Sequence, residues 1–367
     1  MPYCNVLNNH VCIRLPGRYA PCCYWSKDTT KFADNPKKYF TTIDKPFKEY
    51  IASELHQDVV KVMNEDGDWH PGCIKCKNLE DAGLPSIRQK INERLPDKNI
   101  QYMQISLSNH CNFACKTCDS RSSSTIMKMV DANPELAKWF HKGELITNTD
   151  YKKVFDNIDL KNLQLIEFLG GEPFVDPQTT KFLNYLLEHS DLSNVTFKVH
   201  TNTSFFPKKL VPILAQMKRI ELCLSVDSWH RSVEYTRLGS NFEIIKKVTN
   251  QWIEFSKQYK NTYITLFPTV NAFNVKYLKM TKEAAEELGI DFGYEWVEHP
   301  KQLNLNALPE SYVDSIKDDY NKKFFKTYKF NQQQFDDLKD FLKDTDGAQG
   351  KYLKDYLPDL AKYIKGE

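Results

Sequence analysis

The sequence predicts an α/β fold, and three observations predict it. Between about residues 99 and 305, short apolar-alternating runs take turns with longer helical patterns, which argues a mostly parallel sheet with helices outside. Nine of the ten cysteines lie in the first 118 residues, so a small Cys-rich module is expected over 1–98. Beyond 306 only helical patterns remain, and they read as a C-terminal helical extension over 306–367.

The elements follow in order. Val11-Cys12-Ile13-Arg14-Leu15 alternates as a short strand, and Pro16-Gly17 is turn chemistry. This hairpin would bring Cys4 back near Cys22 and Cys23. Cys12, on the strand, reads as a small buried hydrophobe. Pro71-Gly72-Cys73-Ile74-Lys75-Cys76 contains a CxxC knuckle, whose turn presents two sulfurs to one metal centre. Strands are expected at 102–107, 163–169, 195–200, 220–226, 263–270 and 291–298. Helices are expected between them at 122–140, 177–189, 207–216, 242–259 and 275–288, then at 332–342 and 352–364 in the tail. The tail mixes lysines and aromatics with acidic residues throughout, so it reads as amphipathic helices capping the open barrel rather than as a nucleic-acid surface.

Composition narrows the partners. The 367 residues carry a net charge of +2, which predicts neither a nucleic-acid nor a membrane partner. No apolar run reaches membrane-spanning length, and the first residues lack a signal-peptide core, so a cytoplasmic protein is expected. In a reducing compartment, clustered cysteines point to metal.

The chemistry gathers in Asn109-His110-Cys111-Asn112-Phe113-Ala114-Cys115-Lys116-Thr117-Cys118, directly after the 102–107 strand. Three thiolates on one loop can each hold one iron of a cubic cluster that usually takes four. One iron stays open, as a catalytic metal site requires. Leu169-Gly170-Gly171-Glu172-Pro173 closes the next strand. Together, the CxxxCxxC loop and the GGEP segment resemble the radical S-adenosylmethionine (radical SAM) superfamily. That resemblance implies a partial (β/α)6 TIM-type barrel, with sites at the C-terminal strand ends. It implies that Cys111, Cys115 and Cys118 bind a [4Fe–4S] cluster whose fourth iron chelates S-adenosyl-L-methionine. Reductive cleavage would give a 5′-deoxyadenosyl radical that removes a hydrogen atom from a peptide, sugar or nucleoside derivative. An external one-electron donor of flavodoxin or ferredoxin type is implied with it.

Further residues follow from the same resemblance. Gly170, Gly171 and Glu172 would hold the methionine ammonium, with Pro173 fixing the turn. Asn202 stands in a segment similar to the family's Thr-Asn-Gly, although Thr203 replaces the glycine. Ser225 and Asp227 lie in a segment similar to Ser-x-Asp-Gly, again without its glycine. Arg237 resembles an arginine that meets the cofactor carboxylate. Thr117 stands where many relatives carry an aromatic residue. Tyr294, Glu295, Trp296, Glu298 and His299, at the end of the last strand, are candidate substrate contacts, with Trp296 equally readable as packing. Cys223 reads as core.

The first module, Cx12Gx4C then CxxC, resembles a twitch or SPASM-type auxiliary-cluster module, placed before the barrel as in phage-encoded members. It implies Cys4, Cys22, Cys73 and Cys76 as ligands of a second [4Fe–4S] cluster, for electron relay or substrate binding. Cys23 competes with Cys22 for one position. Zinc would accept the same four thiolates. The alternative is a non-catalytic zinc-binding interaction protein, in which the GGEP strand end has no task.

Overall fold

Every second residue of the barrel strands is apolar, and that period gives the sheet two unlike faces. The structure, a computed structural model, describes residues 2–14, 17–26, 41–95, 99–144, 150–155 and 158–365. Pro16 of the expected turn and the boundary at 98 lie outside the described residues.

Eight strands form the main sheet: β1 His10–Arg14, β2 Arg18–Ala20, β3 Tyr102–Ser106, β4 Leu165–Leu169, β5 Thr196–Thr201, β6 Arg219–Leu224, β7 Thr262–Leu266 and β8 Asp291–Phe292. From β3 to β8 each strand pairs in parallel with the next, the order expected of six β/α units. Met103, Ile105, Ile166, Phe168, Phe197, Val199, Ile220 and Leu222 enter one core with Phe182, Leu186, Ile245 and Trp252 of the covering helices. Gln104, Glu167, Lys198 and His200 alternate with them and line a pocket with charged and polar walls inside the barrel.

Three differences from the sequence expectation matter. The N-terminal hairpin forms, with Cys12 opposite Ala20, but it is part of the main sheet: β1 pairs in parallel with β3. The sheet therefore runs across the boundary expected at 98. Cys73 and Cys76 sit at the start of the helix Ile74–Asp81, which follows a 3-10 turn, so a helical first turn rather than a loop knuckle presents them. The expected strands 263–270 and 291–298 each break in two, and their outer halves, Thr269–Val270 and Glu295–Trp296, pair separately. Pro268 lies at the first break, where it supplies no ladder N–H.

The helices follow their start and stop signals. Pro177–His189 is capped by Asp176 with proline at its first position, and Phe242–Gln258 by Asn241. The helix expected over 122–140 breaks at Asn133-Pro134, into Ser124–Ala132 and shorter turns. The stretch 207–216 forms only two short turns. The tail helix runs Gln332–Gln349, longer than expected, until Gly350 closes it in the left-handed region. It buries Leu338, Phe341 and Leu342 in a second core with Ile126, Val130 and Tyr235.

Candidate active site

The cysteine loop leaves β3 and is tied down on every side. Ser108 donates to the carboxylate of Asp176 at 2.6 Å. The amide of Cys111 donates to Ser124 Oγ at 3.2 Å, and Thr125 Oγ1 donates to the Cys111 carbonyl at 2.6 Å. Ala114–Cys115 pairs antiparallel with Arg237–Leu238, which places Cys115 opposite Arg237. The Lys116 side chain, fully buried, reaches Thr345 Oγ1 and Asp346 Oδ1 of the tail helix, each at 3.0 Å, and lies over the Tyr235 ring. The C-terminal extension thus holds the loop from behind. Lys116 lies inside the motif, and no sequence signal set it apart.

Cys111, Cys115 and Cys118 line one pocket with Gly170, Gly171, Glu172, Asn202, Ser225 and Arg237. Burial raises the Cys111 thiol to about 11 and the Cys118 thiol to about 12, so metal coordination is what would make these groups thiolates near neutrality.

Gly170 and Gly171 are demanded by the loop itself. Gly170 has φ +113°, and a β-carbon there would lie 2.8 Å from the Ser108 carbonyl oxygen. A β-carbon on Gly171 would lie 2.1 Å from the His110 carbonyl oxygen. The close approach required here is between two backbones, sealed by the Gly171 and Glu172 amides donating to Ser108 and His110. Pro173 follows in the turn toward the Asp176 cap and does not line the pocket.

Glu172 is buried and accepts from Thr201 Oγ1 at 2.7 Å, the Asn202 amide at 2.5 Å and the Phe174 amide at 3.2 Å. Burial still raises its carboxyl to about 7. Asn202 also donates to Asn112 Oδ1 at 2.9 Å, joining the third barrel strand to the cysteine loop. Thr203 adopts φ +62°, so the chain makes the left-handed turn here without the expected glycine.

Asp227 is placed differently from the other expected cofactor contacts. It lies outside the pocket lining, fully buried, with Oδ1 2.8 Å from Arg237 Nη2. Two atoms of this ion pair, Arg237 Nε and Asp227 Oδ2, are buried with no hydrogen-bond partner. An arginine that lines the pocket and keeps an orphaned donor fits an incoming anion. The donor set therefore suits both groups the sequence implies: three thiols for a cluster, and a carboxylate and a guanidinium for the two ends of an amino acid.

The family model of the radical SAM superfamily matches residues 105–279. That match covers a little under half of the chain, and over it the barrel is similar to the radical SAM superfamily. A curated relative, the radical SAM cyclopropyl synthase TigE of Paramaledivibacter caminithermalis, is 25% identical over 249 residues, 66% of this chain and 49% of that protein. The chain thus spans about half the length of the curated relative it matches. Among solved structures, anSMEcpe with bound AdoMet is 17% identical over 69% of this chain and 62% of its own, with a TM-score of 0.40. Streptococcus suis SuiB bound to S-adenosylmethionine is 15% identical over 76% and 61%, with a TM-score of 0.37.

Beside the barrel, Cys4, Cys22, Cys73 and Cys76 line a second, almost wholly apolar cavity with Trp25, Met63 and Arg88. Cys22 and Cys23 part ways: Cys22 faces this cavity and Cys23 lines the barrel pocket. Among the described residues, no three His, Cys, Asp or Glu side chains converge as ligands of one ion would. Glu295 lines the barrel pocket, while Tyr294 and Trp296 pack with Phe324 at an exposed rim. Cys223 lies in β6 opposite His200 of β5. No helix among the described residues is long and apolar enough to cross a membrane.

Proposed function

We propose that this chain is a radical SAM enzyme acting on a peptide or small molecule, with a second [4Fe–4S] cluster in its N-terminal region. When bound, the barrel cluster would supply one electron to the sulfonium of S-adenosylmethionine, giving methionine and a 5′-deoxyadenosyl radical that takes a hydrogen atom from the substrate.

The chain's own residues bind and orient. Cys111, Cys115 and Cys118 hold the barrel cluster on a loop anchored by Ser108, Ser124 and Lys116. Glu172, with its oxygens fixed by Thr201 and Asn202, receives the methionine ammonium. Gly170, Gly171 and Pro173 aim it. Arg237 turns its orphaned Nε to the methionine carboxylate, and Asp227 holds the guanidinium in place from behind. Asn202 and Ser225 line the wall toward the nucleoside. Cys4, Cys22, Cys73 and Cys76 hold the second cluster, and four thiolates leave that cluster fully ligated, which suits electron relay. The electron donor is an external flavodoxin or ferredoxin, and the protein works in the cytoplasm.

The observation that carries this reading is the single pocket shared by the three thiols, Glu172 and the unsatisfied Arg237. Reconstituted without oxygen, the chain should bind roughly eight irons and, with reductant, release 5′-deoxyadenosine from S-adenosylmethionine. A colourless, zinc-loaded protein that leaves S-adenosylmethionine intact would refute it.

A further inference from the structure

The inner face of the barrel carries a charged group that the cofactor contacts leave unused. Strand register sets Gln104 beside Glu167 and Glu167 beside Lys198. Glu167 Oε2 accepts from Gln104 at 2.7 Å and from Tyr102 at 2.9 Å. Its Oε1 lies 2.6 Å from Lys198 Nζ and 3.8 Å from His200 Nε2. Glu167, Lys198 and His200 all line the pocket that holds the three cysteines.

The Glu167 carboxylate is already occupied. Burial disfavours the Glu167 carboxylate, but neighbouring His200, the Lys198 charge and the hydrogen bond from Gln104 hold it below the usual range. Burial likewise disfavours a charged His200, but Cys223 opposite it and the nearby Glu167 carboxylate outweigh this and raise the ring to about 9. Lys198 and His200 thus both stand beside one carboxylate, and both of its oxygens are already engaged. The other charged groups of the pocket are taken up elsewhere: Glu172 accepts from Thr201 and Asn202, Arg237 pairs with Asp227 and turns its spare donor to the cofactor carboxylate in the reading above, and Glu295 accepts from Thr269 at the rim. The Lys198 side chain is 34% exposed and spends one of its three donors on Glu167.

A cationic substrate group would meet a saturated carboxylate flanked by two positive charges. An acidic group would find the free donors of Lys198. We propose that Lys198, braced by Glu167 and flanked by His200, determines specificity by binding a carboxylate of the substrate inside the barrel. The carboxylate belongs either to a small acid or to an acidic side chain of a peptide. This rests on the radical SAM reading, which places the substrate in the same pocket as the cofactor.

The test is calorimetric titration of the anaerobically reconstituted chain, in the presence of S-adenosylmethionine, with glutarate against glutaramide and with acetyl-Gly-Glu-Gly-amide against its Gln counterpart. A charge-assisted bond is worth enough that at least one acid should bind about tenfold tighter than its amide. Tighter glutarate assigns a small acid, and tighter Glu peptide assigns a peptide side chain. Lys198→Arg should keep the preference and Lys198→Met should lose it. Equal binding of acid and amide by the unmodified protein overturns the proposal without any variant having to fold, and so does a preference that survives Lys198→Met. Failure of the radical SAM reading would show separately, as intact S-adenosylmethionine in the unmodified protein.

Discussion

The two cysteine groups of this chain are built from the same side chain in opposite surroundings. The barrel group has three thiols, opens into a pocket with polar and charged walls, and stands opposite an arginine with a donor to spare. The N-terminal group has four thiols in a cavity walled by Val6, Leu7, Trp25 and Met63, with Arg88 its one cation among the lining residues. Burial raises the thiols in both. What separates them is whether anything besides metal can enter. An open, charged pocket with an incomplete ligand set suits chemistry on a bound molecule, and a closed apolar cavity with a full set suits storing or passing an electron.

The strongest way to break this contrast is Cys115→Ala. It should abolish 5′-deoxyadenosine release, by at least about a hundredfold, because the loop then offers only two thiolates to a cluster that needs three. Iron should fall toward roughly half, read by metal analysis of the same sample. The double substitution of Cys73 and Cys76 by Ala sharpens the contrast from the other side. Iron should again fall toward roughly half, yet cleavage of S-adenosylmethionine alone should survive. Cleavage lost to the same extent in both variants would mean that the two groups do not divide the work.

Lys116→Met tests the anchor behind the barrel loop. Asp346 accepts from Lys116, Tyr235 and the Leu353 amide, and it would be left as a buried charge short of its cation. The expected cost is about 3–5 kcal/mol in urea unfolding. An effect under about 1 kcal/mol would show that the tail helix does not hold the loop through this pair.

The smallest expected effect is a pH dependence from Glu172. Its folded-state value, about 7, stands above the unfolded one. Between about 4.3 and 7 the folded chain therefore holds a proton that the unfolded chain has lost. Stability from this group is complete below that window and falls as pH rises through it. Glu172→Gln should flatten this fall in melting temperature measured without cofactor. The same sign makes bound S-adenosylmethionine most stabilising above pH 7, where the carboxylate is ready to meet the ammonium.

Much of the fold was legible because it rests on local period and punctuation. The run Thr196-Phe197-Lys198-Val199-His200 announces a strand by its alternation, and Asp176-Pro177 announces a helix start. The same alternation also held the signal for the substrate side of the pocket. Polar residues at every second position of a barrel strand face the inside, but a sequence does not say which of them meet. Where irregular backbone intervened, the reading failed. Pro268 ended one strand early, and Asn133-Pro134 broke a helix.

By itself, the sequence determined the parts: three thiols at CxxxCxxC spacing, a Gly-Gly-Glu strand end, and alternating strands and helices to carry them. Only the tertiary structure decided the partnerships. It set Glu167 beside Lys198 across a strand pair, left Arg237 Nε unsatisfied, sent Cys22 and Cys23 to different cavities, and brought Asp346 back to Lys116 across 230 residues. The physical reason is one of range. Side-chain chemistry and backbone period are local properties of a chain, whereas burial, charge balance and unsatisfied donors exist only between segments that folding brings together.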